Sequence, residues 1–152
     1  MSAIDSNLSA AHAEVKAEIA RTDTKTSLLL AFVGALLAGT WTVAKDVSLS
    51  LPVYVVGGAG TALLLAAAGL LLSSVRPNLG GARPVGFPLW ATLSAEEITT
   101  HLAEDRRAQD IAGLARLAVA KFTALRRAVD LTRVGGALLI IAALIAVGGG
   151  LA

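Results

Sequence analysis

The chain has 152 residues, 55% of them apolar and only 16% charged, where soluble domains carry about 45–50% and about 25%. That balance excludes an ordinary soluble domain, and the absence of cysteine excludes a disulfide framework, a thiolate metal site and a cysteine nucleophile. Net charge is +2, so where the basic residues lie says more than their sum.

Residues 1–25 carry Leu8, His12, Val15, Ile19 and Thr22 in alternating steps of four and three, with Glu14, Lys16, Glu18, Arg21 and Lys25 around them. This is a helix-packing seam on a charged helix. Seven charged residues from Asp5 to Lys25 precede the first apolar run, too many for a cleavable signal peptide, so that run is expected to stay as an anchor. Three runs hold no charge: Thr26–Ala44, Val53–Val75 and Val134–Ala152, of 19, 23 and 19 residues. A hydrocarbon core of about 30 Å needs about 20 helical residues, so each is expected to cross. Residues 45–52 form the short connection between the first two.

After the second run, residues 77–93 hold three of the four prolines and three glycines and read as a loop. Its Phe87, Leu89 and Trp90 suggest packing against protein or headgroups. Ser94-Ala95-Glu96-Glu97 then matches a capping box. A single helix is expected from there through the third span, with Gly113 and Gly135-Gly136 as its weak points. Along it Ile111, Ala115, Ala118, Phe122, Leu125, Val129 and Thr132 form a second seam.

Ten Lys/Arg flank the spans on the side shared by the N-terminus and the segment after the second run, against Lys45 alone on the other. This asymmetry places the N-terminus in the cytoplasm and the C-terminus outside. The expected fold is an all-α membrane protein of three transmembrane helices, with a cytoplasmic bundle formed by residues 1–25 and the 94–133 helix. The two seamed helices enter the membrane at about residues 26 and 134, so equal heights should differ by about 107 residues. Glu14 then falls level with Lys121, Asp130 comes within reach of Arg21 or Lys25, and Arg126 and Arg127 approach Asp23.

Asp23, Asp110 and Asp130 are expected in structural ion pairs. Arg21, Lys25, Arg106, Arg107, Lys121 and Arg126 outnumber the acids of one face, and two readings remain open: an anion site suited to phosphate, or contact with anionic headgroups. His12 and His101 are isolated, so no metal is expected. The pairs Glu96-Glu97 and Glu104-Asp105 fit helix N-termini and local ion pairing better than acid/base work. Gly57-Gly58-Ala59-Gly60 lacks the lysine of a phosphate loop and suits close helix packing, as do Gly34 and Gly39. No span contains a charge, which argues against ion-coupled transport.

Arg21-x-Asp23-x-Lys25 before an apolar span, Arg76-Pro77 directly after the second span, and Asp110 followed by Lys121-Phe122 and Arg126 before the last span together resemble the transmembrane effectors of the bacterial pyrimidine cyclase anti-phage system, Pycsar. The resemblance runs from about Glu18 to Leu139. The family commonly shows a tyrosine where this chain has Phe122. The resemblance implies an inner-membrane effector, with no cofactor, that responds to a cyclic pyrimidine nucleotide such as cCMP or cUMP and impairs the host membrane.

Three helices of one chain enclose no aqueous path, so membrane damage implies a homo-oligomer, with the small-residue surfaces Gly34/Ala38 and Gly57/Thr61 as contact points. A non-enzymatic scaffold or accessory subunit is the alternative. An enzyme is not expected, for want of a nucleophile, base or metal constellation, nor is a nucleic-acid partner.

Overall fold

The computed structural model describes residues 3–46, 50–76 and 86–149. Among them the elements are all helical: α1 (Ala3–Asp46), α2 (Leu51–Val75), α3 (Phe87–Trp90), α4 (Ala95–Ala103) and α5 (Arg107–Gly149). Helices α1, α2 and α5 each contain a stretch long and apolar enough to cross a membrane. The remainder of the Pro/Gly-rich stretch and the end of the chain beyond Gly149 lie outside the described residues.

Helix α1 buries one continuous stripe. Leu8, His12, Val15 and Ile19 are half-buried and Thr22 is buried, and the same spacing continues through Thr26, Val33 and Thr40 inside the apolar run. A repeat of 3.5 residues keeps one face turned to a neighbour over the whole length. Buried threonines would cost energy if their hydroxyls were unpaired. Here Thr22 Oγ1 donates to the Glu18 carbonyl, Thr26 Oγ1 to that of Thr22 and Thr132 Oγ1 to that of Ala128, each at 2.8 Å, so the polarity is satisfied within each helix.

The α5 seam differs from its expected form at alternate positions. Ile111, Ala115, Ala118, Leu125 and Thr132 face inward as expected, with Leu114 beside Ala115, but further along the intervening positions are Lys121 and Ala128, one residue ahead of Phe122 and Val129. Phe122 is 40% and Val129 37% exposed, whereas Ala128 is fully buried. Closely packed helices favour the small residue, and Lys121 is drawn inward by a carboxylate on α1 rather than by hydrophobicity. The helix expected to run unbroken from Glu96 is also interrupted: α4 ends at Ala103 and α5 begins at Arg107.

Val33, Leu64, Ala67, Leu71 and Ala128 form the core where α1, α2 and α5 meet. Helix α2 runs antiparallel to α5, and the two backbones nearly touch. A methyl group at Gly60 would lie 2.8 Å from the Gly135 carbonyl oxygen, and one at Gly135 would lie 2.9 Å from that of Gly60. A methyl group at Gly57 would lie 3.6 Å from Ala142 Cβ, while one at Gly58, Gly34 or Gly39 would meet nothing within 4 Å. Thus Gly57, expected on a surface for self-association, is occupied within the chain, whereas Gly34 and Ala38 are exposed.

These contacts fix relative height. Lys121 Nζ lies 2.5 Å from Asp23 Oδ1, 98 residues away in sequence, and Arg107 reaches Asp5 across 102 residues. The expected offset of about 107 is therefore wrong, and Lys121 meets Asp23 instead of lying level with Glu14. Thr26 on α1 stands level with about residue 124 of α5, and the Gly60–Gly135 and Gly57–Ala142 contacts put Val75 of α2 at nearly the same height. The apolar runs of α1 and α2 are thus level with each other, while that of α5 starts about ten residues, or about 15 Å, further along.

Candidate functional site

The membrane-distal end of the bundle gathers α3, α4 and the start of α5. Gly86, at φ 65, adopts the left-handed conformation that suits glycine, and its carbonyl accepts from the Leu89 and Trp90 amides at 3.0 and 3.1 Å. The capping box is formed: Ser94 N donates to Glu97 Oε2 at 2.8 Å and Glu97 N to Ser94 Oγ at 3.3 Å. Hydrogen bonding to the carboxyl by the Ser94 amide and, less, by its hydroxyl holds Glu97 below the ordinary glutamate range.

The break between α4 and α5 is built by charge. Asp105 Oδ1 accepts from the Arg107 amide at 3.1 Å and Nε at 2.9 Å, and Oδ2 accepts from Nη2 at 2.6 Å. An aspartate capping the first free amides of a helix is a standard start signal. Arg107 also crosses to α1, donating to Asp5 Oδ1 at 2.8 Å, the Asp5 carbonyl at 3.1 Å and Ser9 Oγ at 2.8 Å. The Arg107 side chain and amide pull the Asp105 carboxyl down to about 2, and its carboxylate partners Asp105 and Asp5 raise the guanidinium above its already high value. Arg106 donates through Nε and Nη2 to the single oxygen Glu104 Oε2, at 2.9 and 2.6 Å, holding that carboxyl low.

Around this junction lies an open cleft of about 380 Å³, lined by Trp90, His101, Leu102, Arg106, Arg107 and Asp110 together with Glu104 and Asp105. It offers an indole face beside two guanidinium groups. An aromatic face suits a flat ring and guanidinium suits phosphate, but Glu104 and Asp105 already occupy the arginines and would have to yield.

The six candidate cations do not converge. Arg106 and Arg107 stand about 28 Å along α5 from Arg126. Lys121, 18% exposed at its side chain, is paired with Asp23, and Arg21 pairs with Glu18 of its own helix. Lys25 and Arg126 are exposed and stand with Arg76 within about one helical turn of the same height, near one end of the α1 and α2 apolar runs. Asp23 is in an ion pair, but with Lys121 and not with the Arg126 or Arg127 set against it by the expected register. Asp110 and Asp130 are exposed and form none among the described residues. The residues that sequence reasoning missed are Asp5 and Ser9, together with the helix break that Glu104 and Asp105 mark while pairing with Arg106 and Arg107. Asp105 two places before Arg107 carried a legible cap signal, masked by reading Glu104-Asp105 only as partners within a continuous helix.

Three apolar helices, two of them prolonged as a charged pair that carries a cleft at its far end, define an all-helical multi-pass membrane protein. The chain matches the Pycsar effector protein domain over residues 7–148 and belongs to that family. No curated protein and no solved structure matches it.

Proposed function

We propose that this chain is an anti-phage effector of the bacterial inner membrane that senses a cyclic pyrimidine nucleotide, cCMP or cUMP, at its cytoplasmic helices and then impairs the membrane as a homo-oligomer. The observation that carries the reading is the family match across nearly the whole chain. The continuity of α5 from the cleft at Arg107 to Gly149 supplies a physical route. A nucleotide phosphate that took Arg106 and Arg107 from Glu104 and Asp105 would also disturb the Arg107–Asp5 tie between α5 and α1. Differential affinity for the arrangement without that tie is what would drive a change in the spans. Lys25, Arg21, Lys121 and Arg126 lie nearer the bilayer, where they favour anionic headgroups and a cytoplasmic N-terminus.

The test is titration calorimetry and dye release with the purified chain in liposomes. Binding of cCMP or cUMP, but not of cAMP, with leakage that follows it and is abolished by Arg106→Glu, is the expected result. If neither pyrimidine nucleotide binds and leakage is unchanged by both, the sensing reading fails and a membrane scaffold without a nucleotide ligand replaces it. A reporter fused after Ala152 that is active only in the cytoplasm would overturn the proposed orientation.

A further inference from the structure

The heights of the three apolar runs conflict with the charges on α5. In α1 the run is bracketed by Lys25 and Lys45, and in α2 it is followed by Arg76. Lys45, exposed and directly after the α1 run, belongs outside the hydrocarbon at the end opposite Lys25 and Arg76. These charges set both faces of the slab that the hairpin spans. Projected onto α5 through the Lys121–Asp23 and Gly60–Gly135 contacts, the slab runs from about residue 124 to about 143. Arg126, Arg127, Asp130 and Arg133 all fall inside it, and all four are exposed. Arg133 stands level with about Gly34 of α1 and Leu65 of α2, close to the middle of both runs.

Arg126, Asp130 and Arg133 follow one another at steps of four and three, so they share a face. That face is turned away from the seam containing Ala128, Thr132 and Gly135, which is buried against the rest of the chain. Arg126 and Arg127 lie close enough to the near face for their long stems to carry the guanidinium groups to the surface. Asp130, about 9 Å deep with a short side chain, and Arg133, about 13 Å deep, have no such escape. Ionised groups at that depth are found against water or opposite charge and not against acyl chains.

We infer that the outward face of α5 is covered by a second copy of this chain, with Asp130 of one copy set against Arg126 or Arg133 of the next. Opposite charges within one stripe make the face complementary to itself. The surplus of arginine over aspartate leaves the space between copies positive, so it holds water and favours anions. Below the charges Ile140, Ile141 and Leu144 are exposed and continue the contact as an apolar seam. This rests on the effector reading only for what triggers assembly, not for where copies meet.

The chain lacks cysteine, so a single thiol reports the face directly. Ala137→Cys lies one turn below Arg133, and Ala66→Cys, exposed on α2 and level with Arg133, is the control. In vesicles of phosphatidylcholine and phosphatidylglycerol, mild oxidation should link Ala137→Cys into dimers at least about ten times more than Ala66→Cys. The vesicles should pass chloride in preference to potassium, and Arg133→Glu should reverse that preference. Equal or absent cross-linking at Ala137→Cys, with cCMP, with cUMP and with neither, overturns the inference. It overturns it even if leakage occurs or Arg133→Glu fails to insert. Selective cross-linking with potassium preferred over chloride overturns the positive path. Selective cross-linking and chloride preference that neither nucleotide alters leave the interface standing and sink only the proposed sensing.

Discussion

The two ends of the bundle are held together by different physics. Away from the apolar runs, α1 and α5 are joined by charge: Arg107 to Asp5 and Ser9, and Lys121 to Asp23. Within the runs, α2 and α5 approach until backbone oxygens nearly meet a missing side chain at Gly60 and Gly135. In lipid there is no hydrophobic force to press helices together, so contact must come from close packing. In water, long side chains and ion pairs suffice, and they are weaker and tunable. One end is thus held by close packing and the other by charge.

The largest effect should come from filling the close crossing. Gly135→Ala puts a methyl against backbone that cannot step aside and should cost about 3 kcal/mol, the upper range of overpacking. Gly136→Ala, where nothing lies within 4 Å, should be near neutral; thermal unfolding in detergent compares the two. If both cost the same, the backbone approach is not what holds the apolar end. A smaller loss, about 1–2 kcal/mol, is expected for Lys121→Ala, which strands Asp23 half-buried. Raised salt should weaken the native pair while leaving the Gly135→Ala difference unchanged.

Phe122→Ala sharpens the comparison from the other side. As a seam residue Phe122 would cost about 3–5 kcal/mol on truncation; at 40% exposure it should cost about 1 kcal/mol or less. The sequence pattern on α1 reads correctly because, His12 apart, its seam is apolar or small at each step, as at Leu8, Val15, Ile19 and Thr22. On α5 the same rule chooses Phe122 over Lys121 and Val129 over Ala128, since it weighs hydrophobicity and cannot see that Asp23 waits opposite or that a small residue is needed. Height was illegible for a related reason: lining up the ends of apolar runs assumes that lipid sets the register, whereas Gly60, Gly135 and the Lys121–Asp23 pair set it. The number of long helices, the capping box at Ser94 and the family were legible, because each depends on residues close together in sequence or on composition alone.

The smallest effect concerns pH at the charged end. Asp105 is held at about 2, below its ordinary 3.8, by Arg107. A carboxyl depressed on folding stabilises above its unfolded value and loses that contribution as pH falls through the folded one. Acidification from 3.8 to about 2 should therefore loosen the α4–α5 junction, read as a change in Trp90 emission in a Trp41→Phe background. The Gly60–Gly135 crossing contains no titrating group and should be insensitive over the same interval.

Helix α5 is one uninterrupted rod of 43 residues, about 64 Å long, and it is gripped most tightly at Gly135. That grip divides the rod unevenly, with about 42 Å on the side of Arg107 and about 21 Å on the side of Gly149. As a lever pivoting there, the rod halves any sideways displacement applied at Arg107 and doubles the force with which it arrives at the other end.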